Sequence, residues 1–264
     1  MAGILEYHMP KLLKTPVILS APHGGLRFPS GFIDASPLSR SDLLATADKG
    51  TDQLVKSFEG IPYLSANFAR SFVDLNRARS QIDSCVVEDF QSSWDTSVLS
   101  GYGVIPRYAE PGKLVQTGKM TRSAAEERLS CYYDPFHQRL EQLISHVVKV
   151  QGRAILLDVH SAPAFLMNGC DVVLGDQCGK SCAPKTIDGL AQAFDDAKLI
   201  SRRNVPFAGG FITQTYSERS DVEVVQIEIN RKLLESHSRE IDSIALTKFA
   251  KLWEEVIKRW LQFQ

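Results

Sequence analysis

Arg153-Ala-Ile-Leu-Leu-Asp-Val-His-Ser161 has the pattern of a buried β-strand that ends in polar side chains. Its first half is apolar at consecutive positions, which is typical of a strand covered on both faces. Asp158 and His160 share one face of such a strand, because side chains alternate with a period of two. Ligands of open α/β sheets bind outside the carboxyl ends of the strands, so His160 is predicted to lie at the mouth of a ligand crevice.

The composition indicates the kind of fold and excludes some kinds of ligand. The chain has 264 residues, of which 44% are hydrophobic, and we expect a single α/β domain over residues 1–264. A net charge of −1 without a block of Lys and Arg argues against nucleic-acid binding. The sequence has neither an apolar run long enough for a membrane span nor a recognisable leader at its start. We therefore expect a soluble, cytoplasmic protein.

A second buried strand is predicted from Val17 to Leu19, and Pro22-His-Gly-Gly25 follows it. Glycine permits a positive φ and a close approach between the backbone and a ligand. His23 is thus the second histidine that follows a buried strand, and it is expected at the same crevice as His160.

Two aspartates lie in a segment with helical spacing. Residues 38–60 are predicted to form a helix that bends or starts again at Gly50. Asp48 and Asp52 are four residues apart, so a continuous helix would carry both on one face, where they repel each other unless a cation or a partner lies between them. We interpret Asp52 as a residue of a solvated face.

Polar side chains are dense in Arg70-Ser-Phe-Val-Asp-Leu-Asn-Arg77. The planar guanidinium of Arg77 suits a bidentate contact with a carboxylate, and Asn76 adds a neutral donor beside it. For Arg70 we favour a structural ion pair with Asp74.

The middle of the chain contains a segment without periodicity. Residues 81–119 are rich in Ser, Asp, Gly and Pro, and we expect an irregular excursion that shapes a substrate pocket. Residues 121–150 then form the clearest predicted helix, which Pro135 should bend or restart. His137 lies just beyond that break, where a histidine more often packs or faces solvent than takes part in catalysis.

The segment from Val222 to Arg231 alternates as a half-covered strand does, with Gln226, Glu228 and Asn230 on one face. A carboxylate is costly to bury there unless a cation or hydrogen bonds compensate, so Glu228 is expected to have a partner. The other predicted elements are strands over 61–66 and 171–175, helices over 185–196 and 242–263, and a Gly-Gly bend within 206–213.

Three strand ends bring His23, His160 and Glu228 towards one crevice. Two imidazoles and one carboxylate are the ligand set of a catalytic zinc. If Asp48 supplies the carboxylate, Glu228 is free to act as a general base that passes a proton from the attacking water to the leaving nitrogen. A Ser/His/Asp triad within the first strand has poor geometry, because adjacent residues of a strand point to opposite faces.

Seven short blocks run in the order found in one known family. They are Ser20-Ala-Pro-His-Gly-Gly25, Asp48 with Leu54, Arg70-Ser-Phe-Val-Asp-Leu-Asn-Arg77, Tyr133-Asp-Pro-Phe-His137, Leu157-Asp-Val-His-Ser161, Gly209-Gly-Phe-Ile-Thr213 and Gln226-Ile-Glu228. In these blocks, which span about residues 17–231, the chain resembles the N-formylglutamate amidohydrolases.

The resemblance implies a fold and a reaction. The fold is a single α/β domain, zinc-carboxypeptidase/phosphorylase-hydrolase-like, with a mixed, mostly parallel β-sheet flanked by helices. The reaction is hydrolysis of the N-formyl or a related N-acyl amide of an acidic amino acid. In the type reaction, N-formyl-L-glutamate and water give formate and L-glutamate, with one zinc ion per chain as cofactor.

The resemblance also implies roles for individual residues. His23, Asp48 and His160 would bind the metal, Glu228 would be the base, and Arg77 would hold the α-carboxylate of the substrate. Asn76, His137 and Thr213 become candidate substrate contacts. Asp48 keeps the family register, but Asp52 lies close enough in sequence to compete with it as the third ligand.

Two alternatives remain open at this point. The same centre would serve a peptidase or deacylase that removes a terminal residue or a longer acyl group. A non-catalytic protein that binds an N-acylamino acid in the same crevice is the second alternative, since a fold does not determine a function. The sequence leaves the oligomeric state open.

Overall fold

The computed structural model describes residues 3–91, 94–236 and 240–262. Nine strands are found in this part of the chain: β1 Leu5–His8, β2 Val17–Ala21, β3 Tyr63–Ala66, β4 Tyr108–Glu110, β5 Lys113–Leu114, β6 Ala154–Ala162, β7 Val172–Gly175, β8 Ser201–Arg203 and β9 Val222–Asn230. Seven of them form one sheet in the order β1-β3-β2-β6-β9-β7-β8, and β4 pairs with β5 separately.

The middle of the sheet is parallel. β3, β2, β6 and β9 are successive parallel neighbours, whereas β1 and β7 join them as antiparallel strands. The carboxyl ends of the four parallel strands therefore meet at one edge, which is where α/β sheets bind ligands. The predicted mixed, mostly parallel sheet is confirmed.

Helices cover both faces of the sheet. They are α1 Phe32–Ala35, α2 Arg40–Leu43, α3 Thr51–Lys56, α4 Thr96–Leu99, α5 Arg122–Arg128, α6 Asp134–Gln151, α7 Pro184–Asp196, α8 Phe211–Tyr216 and α9 Ser243–Leu261, with a π-turn at Leu129–Tyr133 and 3₁₀ turns at Ala164–Leu166 and Arg231–Leu233. The apolar stripe of α6 packs with alternate residues of β2, β6 and β9, and α3, α7 and α9 pack with the other set. None of the helices among the described residues is long and apolar enough to cross a membrane.

β6 is longer than its apolar run predicts. All nine residues from Ala154 to Ala162 are buried, so Asp158 and His160 lie within the strand and not beyond it. The strand continues because β9 pairs with it along its whole length, with His160 opposite Glu228. The register alone therefore places a candidate metal ligand beside the candidate base.

Residues 38–60 do not form one helix. α2 ends at Leu43, and α3 begins after Gly50, whose φ of 87° is left-handed and cannot continue a right-handed helix. Asp48 precedes α3 and is 1% exposed, whereas Asp52 lies on α3 and pairs with Lys56. The helix starts again at Gly50, as predicted, so the shared helix face that the four-residue spacing indicates for the two aspartates is not formed.

Two other segments differ in detail from the secondary structure predicted for them. Residues 81–119 contain the short helix α4 and the β4–β5 hairpin, so this excursion is less irregular than predicted. From Arg122 to Gln151 the chain is helical throughout, with the π-turn between α5 and α6. Pro135 closely follows the π-turn, where the regular α-helical hydrogen-bond pattern is already interrupted, and the helix continues past the proline.

Candidate metal centre and active site

Three side chains converge at the carboxyl edge of the sheet. His23 follows β2, Asp48 precedes α3, and His160 lies on β6. The Nδ1 atoms of His23 and His160 are 3.1 Å apart, and Asp48 Oδ2 lies 3.4 Å from the first and 3.0 Å from the second. All three residues are buried.

Local sequence explains how the His23 loop reaches this position. A Cβ atom on Gly25 would lie 2.4 Å from the backbone of Asn67, so the loop after β2 can pack on the chain after β3 only with glycine there. The carbonyl oxygen of His23 also accepts a hydrogen bond from the backbone N–H of Asp48, at 2.9 Å. Two of the converging residues are thus linked through their backbones.

The outer nitrogens of both imidazoles are bonded to carboxylates. His23 Nε2 donates to Asp74 Oδ1 at 2.7 Å, and His160 Nε2 donates to Asp158 Oδ2 at 2.8 Å. A carboxylate only accepts, so in each neutral imidazole the proton is on Nε2 and the lone pair is on Nδ1. Three acceptor atoms then face one another, and this arrangement is unfavourable unless a cation lies between them.

The distances fit a metal ion. Zinc bonds of about 2.0–2.1 Å in a tetrahedral site separate neighbouring ligand atoms by about 3.3 Å. The observed separations within the His23, Asp48 and His160 cluster run from 3.0 to 3.4 Å. Hydrogen bonds from the second ring nitrogen to a carboxylate are also usual for histidines that bind metal. The cluster can therefore hold a divalent metal, with Asp48 and not Asp52 in contact with both histidines.

Charges within the cluster shift the pKa values of His160 and Asp48. Burial alone would lower the pKa of His160, but Asp158 and Asp48 raise that pKa well above the ordinary value. Burial alone would raise the pKa of Asp48, whereas its bonds to His160 and His23 and the charge of Arg231 hold that pKa far below the ordinary value. Without a cation the cluster keeps a proton among its ligand atoms, and a metal would compete with that proton.

Glu228 lies beside this cluster on β9. Its Oε1 accepts a hydrogen bond from Gln226 Nε2 at 3.0 Å, and Glu228 lines the same cleft as Asp48 of the cluster. Burial, reinforced by the charge of Asp48 and opposed by that of His160, raises the pKa of Glu228 to about 7. The expected partner of this buried carboxylate is thus the neutral amide of Gln226.

Asn76 lies beside His160, and Thr213 follows Ile212, which is a hydrogen-bond partner of Asn76. Asn76 Oδ1 accepts from the backbone N–H of Ile212 at 2.8 Å, and Asn76 Nδ2 lies 3.4 Å from His160 Nε2. A Cβ atom on Gly210 would lie 2.4 Å from the Asn76 amide, so glycine is needed for this contact. Thr213 is buried on α8, and its hydroxyl has no hydrogen-bond partner among the described residues.

Arg77 and His137 are held by neighbouring backbone and side-chain groups. Arg77 donates from Nε to the carbonyl of Tyr102 and from Nη1 to that of Asn76, at 2.8 Å in each case. His137 contacts the Tyr216 hydroxyl through Nδ1 and the Leu75 carbonyl through Nε2, both at 3.0 Å, and burial lowers its pKa to about 4. Neither side chain lines the cleft.

The cleft has a volume of about 900 Å³. Its charged lining consists of five carboxylates and three cations: Asp48, Asp74, Glu110, Glu228, Glu235, Arg70, Arg231 and Lys232. Much of the remaining lining comes from residues 106–111, within the predicted pocket excursion, and from residues 161–166 after His160. Residues 161–166 carry no charge, so the charged groups of the cleft are continuous with an uncharged surface on that side.

Sequence reasoning missed several of these partners. Arg70 does pair with Asp74, at 2.7 Å, as predicted, but the bond from His23 to Asp74 had no sequence signal because the two residues are 51 positions apart. Arg231 donates to Asp48 Oδ1 at 2.9 Å and to the carbonyl of Ala45 at 3.0 Å. Its place directly after the polar face of β9 was the available hint.

Comparison with known proteins identifies the relationship. A model of the N-formylglutamate amidohydrolase family matches residues 15–235. The chain belongs to this family. The N-formylglutamate amidohydrolases hydrolyse an amide, so this member is an amidohydrolase with a small-molecule substrate.

Two solved structures agree with this chain in fold. An N-formylglutamate amidohydrolase from Ralstonia eutropha JMP134 is 23% identical, with a TM-score of 0.88 over 98% of this chain and 96% of that one. A gene product from Agrobacterium tumefaciens is 19% identical, with a TM-score of 0.65 over 97% and 94% of the two chains. A metallo-carboxypeptidase from Burkholderia cenocepacia is much more remote, at 10% identity and a TM-score of 0.38 over 98% and 60%. Among curated proteins there is no significant match.

Proposed function

We propose that this amidohydrolase is zinc-dependent and that it cleaves N-formyl-L-glutamate, or a closely related N-acyl amide of an acidic amino acid. The observation that carries the proposal is the convergence of two imidazole nitrogens and one carboxylate oxygen within 3.4 Å, each imidazole being backed by a further carboxylate. Water would be the second substrate, and formate and L-glutamate would be the products of the type reaction.

The metal would be held by His23, Asp48 and His160, as one ion per chain. When bound there, zinc acts as a Lewis acid and makes water a stronger nucleophile at neutral pH. Asp74 and Asp158 would fix the orientation and tautomer of the two imidazoles. Arg231 would occupy Oδ1 of Asp48, which leaves Oδ2 to face the histidines.

Glu228 is the proposed general base. Its carboxylate lines the cleft, and its residue pairs with His160 across the two central strands, so it is adjacent to the proposed metal position. It would accept a proton from the attacking water and deliver it to the amide nitrogen as that nitrogen leaves. Gln226 would hold the carboxylate in place through its side-chain amide.

Arg77 is the proposed partner of the substrate α-carboxylate, with Asn76, His137 and Thr213 as further contacts. The bonds of Arg77 to Tyr102 and Asn76 use Nε and Nη1, so Nη2 is the atom that a substrate would reach. Tyr102 itself lines the cleft, which supports an approach from that side.

The first test is metal analysis of the purified protein together with an assay of N-formyl-L-glutamate hydrolysis. We expect about one zinc per chain, loss of turnover after treatment with a chelator, and recovery when zinc is restored. Full activity in protein freed of metal would refute the zinc dependence. Parallel assays of N-acetyl-L-glutamate and of short peptides would reveal a deacylase or peptidase. Thermal stabilisation by these compounds without hydrolysis would favour a binding protein.

A second test addresses the substrate carboxylate. Arg77→Ala is expected to raise KM mainly for substrates with a free α-carboxylate and to leave the corresponding neutral amides little changed. Arg79→Ala is the matched control, since Arg79 pairs with Asp134 and Glu126. Equal losses on charged and neutral substrates would count against Arg77 as the carboxylate partner.

A further inference from the structure

We propose that the physiological substrate carries an apolar group of at least about five carbons next to the scissile amide, which packs on one wall of the cleft. The inference rests on the proposed amide hydrolysis at the His23, Asp48 and His160 cluster and specifies the substrate further. The wall consists of residues 162–166, which we call the apolar wall.

The apolar wall is close to the reacting centre. It begins two residues after His160, at the end of β6, and continues through Pro163 into the 3₁₀ turn Ala164–Leu166. All five residues line the same cleft as Asp48 and Glu228. A group that reaches this wall from a substrate held at the cluster must therefore be attached near the bond that is broken.

Two large apolar side chains of the apolar wall are exposed to solvent, and a ligand in the cleft would cover them. Phe165 is 77% exposed and Leu166 is 41% exposed, although both lie inside a cleft. A ligand that covers such side chains gains about fourfold in affinity for each methylene that is fully buried. Pro106, Ala109 and Pro111 extend the uncharged lining on a second segment.

The volume of the cleft also favours a substrate larger than N-formyl-L-glutamate. Its volume is about 900 Å³, near the top of the range of about 300–1,000 Å³ that holds drug-sized ligands. N-formylglutamate has only about a dozen non-hydrogen atoms, and its formyl group offers a single carbon to an apolar surface. N-formyl-L-glutamate would therefore leave Phe165 and Leu166 in contact with water.

The charges of the cleft indicate how such a substrate is oriented. The charged groups, which are three cations and five carboxylates, lie outside the apolar wall, and the cations are Arg70, Arg231 and Lys232. The α-carboxylate would lie at Arg77, as proposed above, a second carboxylate would lie among the cations where the substrate has one, and the apolar group would lie along the wall. The group belongs to the acyl part or to the amino-acid side chain of the substrate, and both sources present the same chemistry to Phe165.

The test compares kcat/KM for three substrates of the zinc-loaded protein. N-hexanoyl-L-glutamate extends the acyl part, N-formyl-L-phenylalanine extends the side chain, and N-formyl-L-glutamate is the reference. We expect at least one extended substrate to exceed the reference by about tenfold or more, the usual scale for apolar discrimination. If the reference equals or exceeds both, the apolar-group proposal is wrong while the amidohydrolase function stands. If no amide is cleaved, the proposed function fails as well.

Variants connect the preference to the wall. Phe165→Ser should reduce kcat/KM for the preferred extended substrate by about tenfold, and by a smaller factor for N-formyl-L-glutamate. Ile244→Ser is the matched control, because Ile244 is 81% exposed on α9 and does not line the cleft. Since both side chains are exposed, both variants should fold, which thermal unfolding will verify. Equal losses on all substrates in Phe165→Ser would overturn the proposal.

Discussion

Two buried carboxylates of this protein have opposite surroundings. Asp176, which follows β7, accepts hydrogen bonds from Arg203 Nη2 at 2.6 Å, Asn204 Nδ2 at 2.5 Å and the backbone N–H of Gly179 at 3.1 Å. Asp48 accepts from Arg231 through Oδ1, but its Oδ2 faces the Nδ1 atoms of two histidines. Both residues are essentially inaccessible to solvent.

The two carboxylates are alike in burial and charge. They differ in whether their partners are hydrogen-bond donors or acceptors. Each oxygen of Asp176 meets a donor, so the protein itself satisfies that carboxylate and the cluster is structural. At Asp48, the outer carboxylates fix the protons of both imidazoles on the far nitrogens, and three acceptors converge. We infer that a buried charged cluster indicates a metal site when its acceptor atoms have no donors. This criterion separates the Asp48 cluster from the Asp176 cluster, and four predictions test it.

The largest effect is expected for His160→Ala. This change removes one ligand atom and leaves Asp48 Oδ2 without a nearby partner on that side, so we expect bound zinc to fall from about one ion per chain to near zero. Amide hydrolysis should disappear with it. His146→Ala is the control, because His146 is exposed on α6. Full activity in His160→Ala, or loss of metal in both variants, would contradict the interpretation of the Asp48 cluster as a metal site and of the Asp176 cluster as structural.

Glu228→Gln tests the base independently of the metal. The amide keeps the shape of the side chain but cannot accept a proton, so we expect kcat to fall by at least about 100-fold. Metal content should be unchanged, since Glu228 is not one of the converging ligands. Glu223→Gln is the control on the same strand, because Glu223 bonds Arg153 and Thr186 at the other end of β9. Loss of zinc in Glu228→Gln would mean that Glu228 is itself a ligand.

Asp158→Asn should produce a smaller effect on metal binding. The amide supplies no negative charge to the Nε2 proton of His160, and changes of this type weaken metal affinity by about 10–100-fold. Competition against a chelator of known zinc affinity measures the change. Asp176→Asn is the matched control at the other cluster and should leave zinc affinity as in the wild type. Equal affinities in all three proteins would show that Asp158 does not support the metal site.

The sequence predicts the frame of the site well. β2, β6 and β9 are recognisable because their core residues are consecutive or alternate strictly, and His23, His160 and Glu228 stand at the polar ends of these patterns. Position along a strand is a local property, so periodicity determines it. The parallel arrangement follows because long segments containing helices connect these strands.

The remaining parts of the site depend on contacts between distant segments. Asp74 bonds His23 across 51 positions, and Arg231 bonds Asp48 across 183. Periodicity does not determine which loop packs on which, so both partners were overlooked. Asp48 was ambiguous for a different reason: helical spacing continued through Gly50, and only the left-handed backbone of that glycine separates Asp48 from α3.

Asp176→Ala should have the smallest effect on function and a measurable effect on stability. Burial alone would raise the pKa of Asp176, but its bonds to Asn204 and Arg203 lower that pKa below the ordinary carboxyl value. A lowered pKa stabilises the fold above the unfolded-state value of about 4, and this contribution is lost as the pH falls through the folded-state pKa. At pH 7 we expect a loss of about 1–3 kcal/mol, because Arg203 is partly exposed and keeps water as a partner.

That loss corresponds to a decrease in Tm of roughly 2–10 °C in a protein of this size, measurable by circular dichroism. The difference from the wild type should stay nearly constant from pH 7 to about 5 and narrow as the pH falls below about 4, while zinc stoichiometry at pH 7 stays at about one per chain. Asp188→Ala is the control, because Asp188 also pairs with Arg203 but is largely exposed and should change Tm little. A loss of zinc in Asp176→Ala comparable to that in His160→Ala would mean that donor pairing does not separate structural carboxylates from metal ligands in this fold.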